Sequence, residues 1–136
     1  MKLILFFAAA ILFISCSNSA LVSHLEDSDS LVVKFNQHSD SLKTRATSTT
    51  ETHAIQTMLQ FTDGEETEQF KCGYDGNILF YKKGRLAAYI SFNFSGEGCH
   101  HFLHEANGKL VATKMSNEGV DFLIALANVS KGAVVK

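Results

Sequence analysis

The sequence predicts an α+β fold, a two-layer sandwich in which about five antiparallel strands carry an N-terminal and a C-terminal helix on one face. Three observations predict it. Ala54, Ile55, Met58 and Leu59 recur at helical spacing, and so do Val120, Leu123, Ile124 and Ala127. Between these stripes lie turn signals: Asp75-Gly76, Lys83-Gly84, Ser95-Gly96-Glu97-Gly98 and Asn107-Gly108. The longest segment between turns alternates, with Leu86, Ala88, Ile90, Phe92 and Phe94 on one face and Ala87, Tyr89, Ser91 and Asn93 on the other.

The folded part is expected over residues 50–128. Ser48-Thr49-Thr50-Glu51 has capping-box spacing, so a helix is predicted over 50–61, ended by Asp63-Gly64. Strands are predicted over 68–74, 77–82, 85–94, 99–105 and 109–115, with Asp75-Gly76 as a hairpin turn. Ser116 is a good N-cap for the last helix, which stops near Asn128. Residues 129–136 read as a tail. Seven of the eleven Phe fall between Phe61 and Phe122, which places the core there.

Residues 16–49 read as a flexible tether. Of residues 17–53, thirteen are Ser or Thr, with acids such as Glu26, Asp27 and Asp29 among them. Leu31-Val32-Val33-Lys34-Phe35 is the apolar exception, fit for a short strand or a sticky patch. A flexible chain of about 35 residues has an end-to-end distance of roughly 30–35 Å.

Residues 1–15 have the form of a secretory signal peptide. Met1-Lys2 is a positive n-region, and the apolar run over 3–14 is too short to cross a bilayer as a helix. Phe13-Ile14-Ser15-Cys16 resembles the lipobox of bacterial lipoproteins, with Ser15 as the small residue before the cysteine and Phe13 where that family favours Leu. The resemblance covers about 20 residues and implies acylation of Cys16 and anchoring in the cell envelope, where several acyl chains at about 0.8 kcal/mol per buried methylene hold a protein stably. Cleavage after Ser19 by an ordinary signal peptidase is the alternative and gives a soluble secreted chain. Either route leaves Cys72 and Cys99, an even pair in an oxidising compartment, where such a pair tends to close. At normal strand spacing, the first and fourth strands of a plain meander are too far apart for this bond. A loop curling over one end of the sheet, or a different strand order, is required.

The formal charge is −2, with 12 basic and 14 acidic side chains, and no basic face for nucleic acid. Lys82, Lys83 and Arg85 read as the solvated end of a hairpin. No nucleophile elbow, zinc-protease helix or Walker loop occurs, and Gly96-Glu97-Gly98 precedes a strand, so it is not a phosphate loop. Cys99-His100-His101-Phe102-Leu103-His104 is the one stretch resembling a site. On a strand the Cα atoms of His100 and His104 lie about 13 Å apart, beyond what one zinc can join. The leading expectation is a non-enzymatic envelope lipoprotein without a cofactor. Its partners would be the membrane, through the lipid anchor, and an unidentified envelope protein or ligand. That partner would bind weakly defined residues of the sheet's free face: Leu79, Tyr81, Tyr89 and Asn93, with Lys71 and Thr113 around them. The alternative is a small metal-binding or redox protein using Cys72, Cys99, His100, His101 and His104.

Overall fold

The structure, a computed structural model, describes residues 19–36, 45–69 and 71–130. In chain order it comprises α1 (Ala20–Leu25), β1 (Ser30–Phe35), β2 (Arg45–Thr49), α2 (Thr52–Thr62), β3 (Glu66–Thr67), β4 (Gly76–Lys82), β5 (Arg85–Asn93), β6 (His101–Ala106), β7 (Lys109–Lys114) and α3 (Asn117–Val129). The strands form one sheet in the order β2-β1-β4-β5-β6-β7-β3, with every neighbouring pair antiparallel. The fold is α+β, with seven strands rather than five. Among the described residues no helix is long and apolar enough to cross a membrane. The expected signal peptide, Cys16 and the last residues of the tail lie outside the described residues.

Four of the predicted strands form; of the three others, β1 and β2 come from the stretch read as tether, and the two-residue β3 follows α2. Leu31, Val33 and Phe35 alternate into the core, and β1 pairs with β4 along its whole length, from Ser30 opposite Tyr81 to Phe35 opposite Gly76. A Ser/Thr-rich sequence does not preclude this. Thr is β-branched and suits a strand, and a short apolar alternation suffices once a long-range partner exists. The helix expected from residue 50 forms as α2, but Ser48 lies in β2. Its N-cap is Glu51, which makes no side-chain capping bond. Ser116 caps α3 as expected, accepting a hydrogen bond from the Gly119 amide at 3.1 Å.

One sheet face carries the core. Leu31, Val33, Phe35, Ile78, Phe80, Ile90, Phe92 and Phe102 pack against Ile55, Met58 and Leu59 of α2 and Val120 and Leu123 of α3. Phe35 and Phe92 meet edge to face with centroids 5.7 Å apart. Full burial of such side chains is worth about 1.5–3 kcal/mol each, so this face supplies most of the drive to fold.

The strand order forces a long crossing. After β3 at the far edge, the chain must return to β4 in the middle of the sheet. Residues 68–69 and 71–75 lie along that crossing, over the face opposite the helices. Gln69 Nε2 donates to the Leu110 carbonyl (3.1 Å), the Asn93 side-chain amide donates to the carbonyls of Cys72 (3.3 Å) and Gly73 (3.1 Å), and the Tyr74 ring stands edge to face with His101. Asn93, His101 and Ala112 are buried in consequence. The strand predicted over 68–74 is therefore this crossing loop, because its polar groups bond to the Asn93 side chain and, through Gln69, to one β7 carbonyl rather than to a ladder.

Three features fix the loop where it meets β4. Cys72 and Cys99 lie at disulfide distance with Cα atoms 6.1 Å apart, the loop curling over the sheet end as the cysteine spacing required. For their separation of 27 residues, chain entropy gives a bond worth roughly 3.5 kcal/mol. The buried Asp75 carboxylate accepts from the amides of Phe94 (2.7 Å) and Ser95 (2.8 Å) and from the Ser95 hydroxyl (2.6 Å). Gly76 passes so close to β1 that a Cβ there would lie 2.1 Å from the Lys34 carbonyl oxygen. Asp75-Gly76 is thus not a hairpin turn: the carboxylate is an anchor, and the glycine allows backbones to touch. The true hairpin turns are Lys83-Gly84 and Asn107-Gly108, all four residues at positive φ.

Substituting Gly76→Ala should cost about 2–3 kcal/mol through overpacking against backbone. Asp75→Ala should cost about 3 kcal/mol by removing three hydrogen bonds to a buried carboxylate. Urea denaturation followed by circular dichroism measures both, and a Gly76→Ala midpoint equal to that of the parent would show that the two backbones do not meet as described.

Candidate functional site

The face away from the helices is covered at one end by the crossing loop and open at the other. A β-bulge shapes the open end. Phe80 pairs with Ala88 but Tyr81 pairs with Leu86, so Ala87 is an extra residue in β5. The bulge reverses the parity of β5 before residue 88. Leu86, expected on the core face, instead stands beside Tyr81 on the other face and is 52% exposed. A bulge also sharpens the local twist and bends its strand.

Beyond the bulge, β5 parts from β6. Of nine residues in β5, only Ser91, Phe92 and Asn93 pair with β6, opposite Leu103, Phe102 and His101. Residues 85–86 and 88–90 keep their ladder with β4, and residues 104–106 keep theirs with β7, but β5 and β6 form no ladder there. Helix α1 lies beside the opening. Its Leu25 is fully buried, while Asp27 just after it pairs with Lys82, whose ammonium also donates to the His24 carbonyl. The result is a cleft of about 480 Å³ running into the sheet, lined by Leu21 and His24 of α1, Leu86 and Tyr89 of β5, and Leu103 and His104 of β6, with Glu105 and Leu110 at its side. That is within the range of ligand pockets.

The lining is amphipathic. Leu86 and Tyr89 are each 52% exposed and Leu110 is 56% exposed, and all three border this cleft. His104 is only 6% exposed, and its buried Nδ1 has no hydrogen-bond partner. Burial pushes its pKa below the usual 6.5, opposed by the Glu66 carboxylate nearby. His104 is therefore a neutral imidazole at pH 7, held in the wall of the cleft with its Nδ1 buried and unbonded.

The residues singled out in the sequence fall as follows. Tyr89 lines the cleft. Tyr81 is half-buried on the same face, Leu79 is 7% exposed, and Asn93 is 3% exposed and holds the crossing loop. Lys71 is exposed on that loop, whereas Thr113 is on the core face, donating to the Thr62 carbonyl at 3.0 Å. The histidines divide between faces. His101 is buried under the loop, where Nδ1–H donates to the Cys99 carbonyl (2.6 Å), while His104 follows Phe102 on the face of the helices and reaches the cleft. His100 is half-buried ahead of β6. With Cys72 and Cys99 facing each other, the described residues contain no group of three or more His, Cys, Asp or Glu placed to hold a metal ion.

The sequence reading missed Leu21, His24, Leu86, Leu103 and Leu110. Leu86 and Leu110 were hidden because alternation alone assigns such residues to a core, and a bulge of one residue leaves no mark in it. No family profile, curated protein or solved structure matches the chain.

The neutral state of His104 sets a pH dependence. Its folded pKa is below the unfolded value, so between the two the unfolded chain binds more protons. Stability is therefore present above about pH 6.5 and declines as pH falls through the folded pKa. Thermal melts at about pH 7.5 and 5.5 should show a larger loss for the parent than for His104→Gln, and equal losses would place the proton elsewhere.

Proposed function

We propose that the protein is a non-enzymatic binding module of the bacterial cell envelope, exported by its N-terminal segment and held at a membrane through acylated Cys16, with the β5–β6 cleft as its binding site. The observation that carries the binding reading is a convergence. Of five large apolar side chains exposed among the described residues, Leu86, Tyr89 and Leu110 border one cleft. Apolar side chains scattered singly need no explanation, but gathered around a concavity with a buried polar atom they fit a ligand site.

Export and anchoring are supported by the run over 3–14 leading into Cys16 and by the cysteine pair at disulfide distance. Residues 17–19 alone separate Cys16 from α1, a span of about 10 Å when extended, so the module would sit near the membrane surface rather than at the end of a long tether. Helix α1, which lines the cleft, would be the first folded element after the anchor.

Two measurements test the reading. The membrane-extracted protein should have an intact mass equal to residues 16–136 plus fatty acyl chains, and should gain two hydrogens on reduction. Cys16→Ser should move it to the soluble fraction. A product that begins at Ala20 and is already soluble would replace the anchored form with a secreted one.

A further inference from the structure

We infer that the cleft binds an extended polypeptide segment, which adds as a strand to the free edge of β5 over residues 86–90. The inference rests on the reading of the cleft as a binding site and names its ligand class.

The first argument is hydrogen bonding. A strand in the interior of a sheet is paired on both sides, and alternate residues direct their N–H and C=O groups to each side. At Leu86 and over residues 88–90, on either side of the bulged Ala87, β5 is paired with β4 alone, and over 104–106, β6 is paired with β7 alone. Two strand edges thus border one opening, each with main-chain donors and acceptors that no ladder uses. Natural sheets cover or charge such edges. An extended peptide is the ligand whose own backbone repeats the matching pattern, which is the basis of binding by strand addition.

The second argument is the shape of the opening. The pairing of Ser91 with Leu103 closes it at one end, and it opens between the β4–β5 and β6–β7 hairpins. At about 3.3 Å per residue the free stretch of β5 spans about 15 Å, enough for four or five residues of a strand. The third argument is parity. Successive side chains of an added strand point to opposite faces. On one face they meet Leu86, Tyr89, Leu103 and Leu110, an apolar rim; on the other they approach Leu21 and the His104 side chain. The preferred segment therefore alternates, with large apolar residues at every second position and small ones between.

The test pans the full-length protein against a random heptapeptide display library and measures selected sequences as free peptides by fluorescence anisotropy. Selected peptides should alternate as described, and Leu110→Asp should weaken them about tenfold or more. Each is then made in two N-methylated forms, one blocking the odd amides and the other the even amides. If the peptide adds as a strand to β5, one form should lose about tenfold or more and the other should stay within about threefold, because only alternate N–H groups face β5, and an equal loss in both forms would overturn addition to that edge. Binding that Leu110→Asp abolishes but that tolerates both methylated forms would overturn strand addition while leaving the cleft as a site. Selection of no peptide, or only of peptides indifferent to Leu110→Asp, would overturn the inference. If that same variant also left a ligand found by another route bound, the cleft itself would lose its role. A stable dimer that Leu110→Asp dissolves and no peptide displaces would make the opening a self-interface, and that too would overturn it.

Discussion

The structure depends on how the chain gets back from β3 at the sheet edge to β4 at its centre. Three strands lie between these positions, and the return must cross a face that the helices do not cover. A crossing of this kind carries polar backbone groups over a buried surface, and each has to be met. Asn93 meets two of them, and the Asp75 carboxylate ties the end of the crossing to the start of the β5–β6 connection. The Cys72–Cys99 pair joins the same two loops, so carboxylate and sulfurs act on one junction. Gly76 then lets β4 settle between β1 and β5 without a side chain in the way.

That crossing divides the outer face into two unlike halves. Under the loop, Asn93, His101 and Ala112 are buried, and β5 and β6 are paired. Past the loop the face is open, and there β5 and β6 diverge. Bulge and helix act together in the divergence: Ala87 bends the β4–β5 hairpin, and α1 occupies the space beside it, with Leu25 buried and Lys82 tied to both Asp27 and the His24 carbonyl. The rigid half therefore positions the open half. Ser91 opposite Leu103, where the ladder begins, is also the floor of the cleft.

The buried imidazole links the site to stability. His104 lies where the core face runs into the cleft, so its ring loses water without gaining a hydrogen-bond partner at Nδ1. An unmet buried polar atom costs about 1–3 kcal/mol, so the wall of the cleft is held at a cost to stability that the apolar core offsets.

Local signals settled much of this molecule from sequence. The two helical stripes, the Ser116 cap, the Lys83-Gly84 and Asn107-Gly108 turns and the strands from residue 76 onward all arise from nearest-neighbour chemistry: spacing, capping and positive φ. The cysteine separation already required either a loop over the sheet end or a sheet that is no plain meander, and the structure has both. Long-range pairing decided the rest. Residues 30–35 became a central strand only because β4 lies beside them, and Asp75-Gly76 became an anchor and a close approach only because Ser95 and Lys34 come near. The cleft belongs to this second group. It exists because β5 carries an extra residue and leaves β6 beyond Ser91 and Leu103, and neither periodicity nor composition records where strands fail to meet.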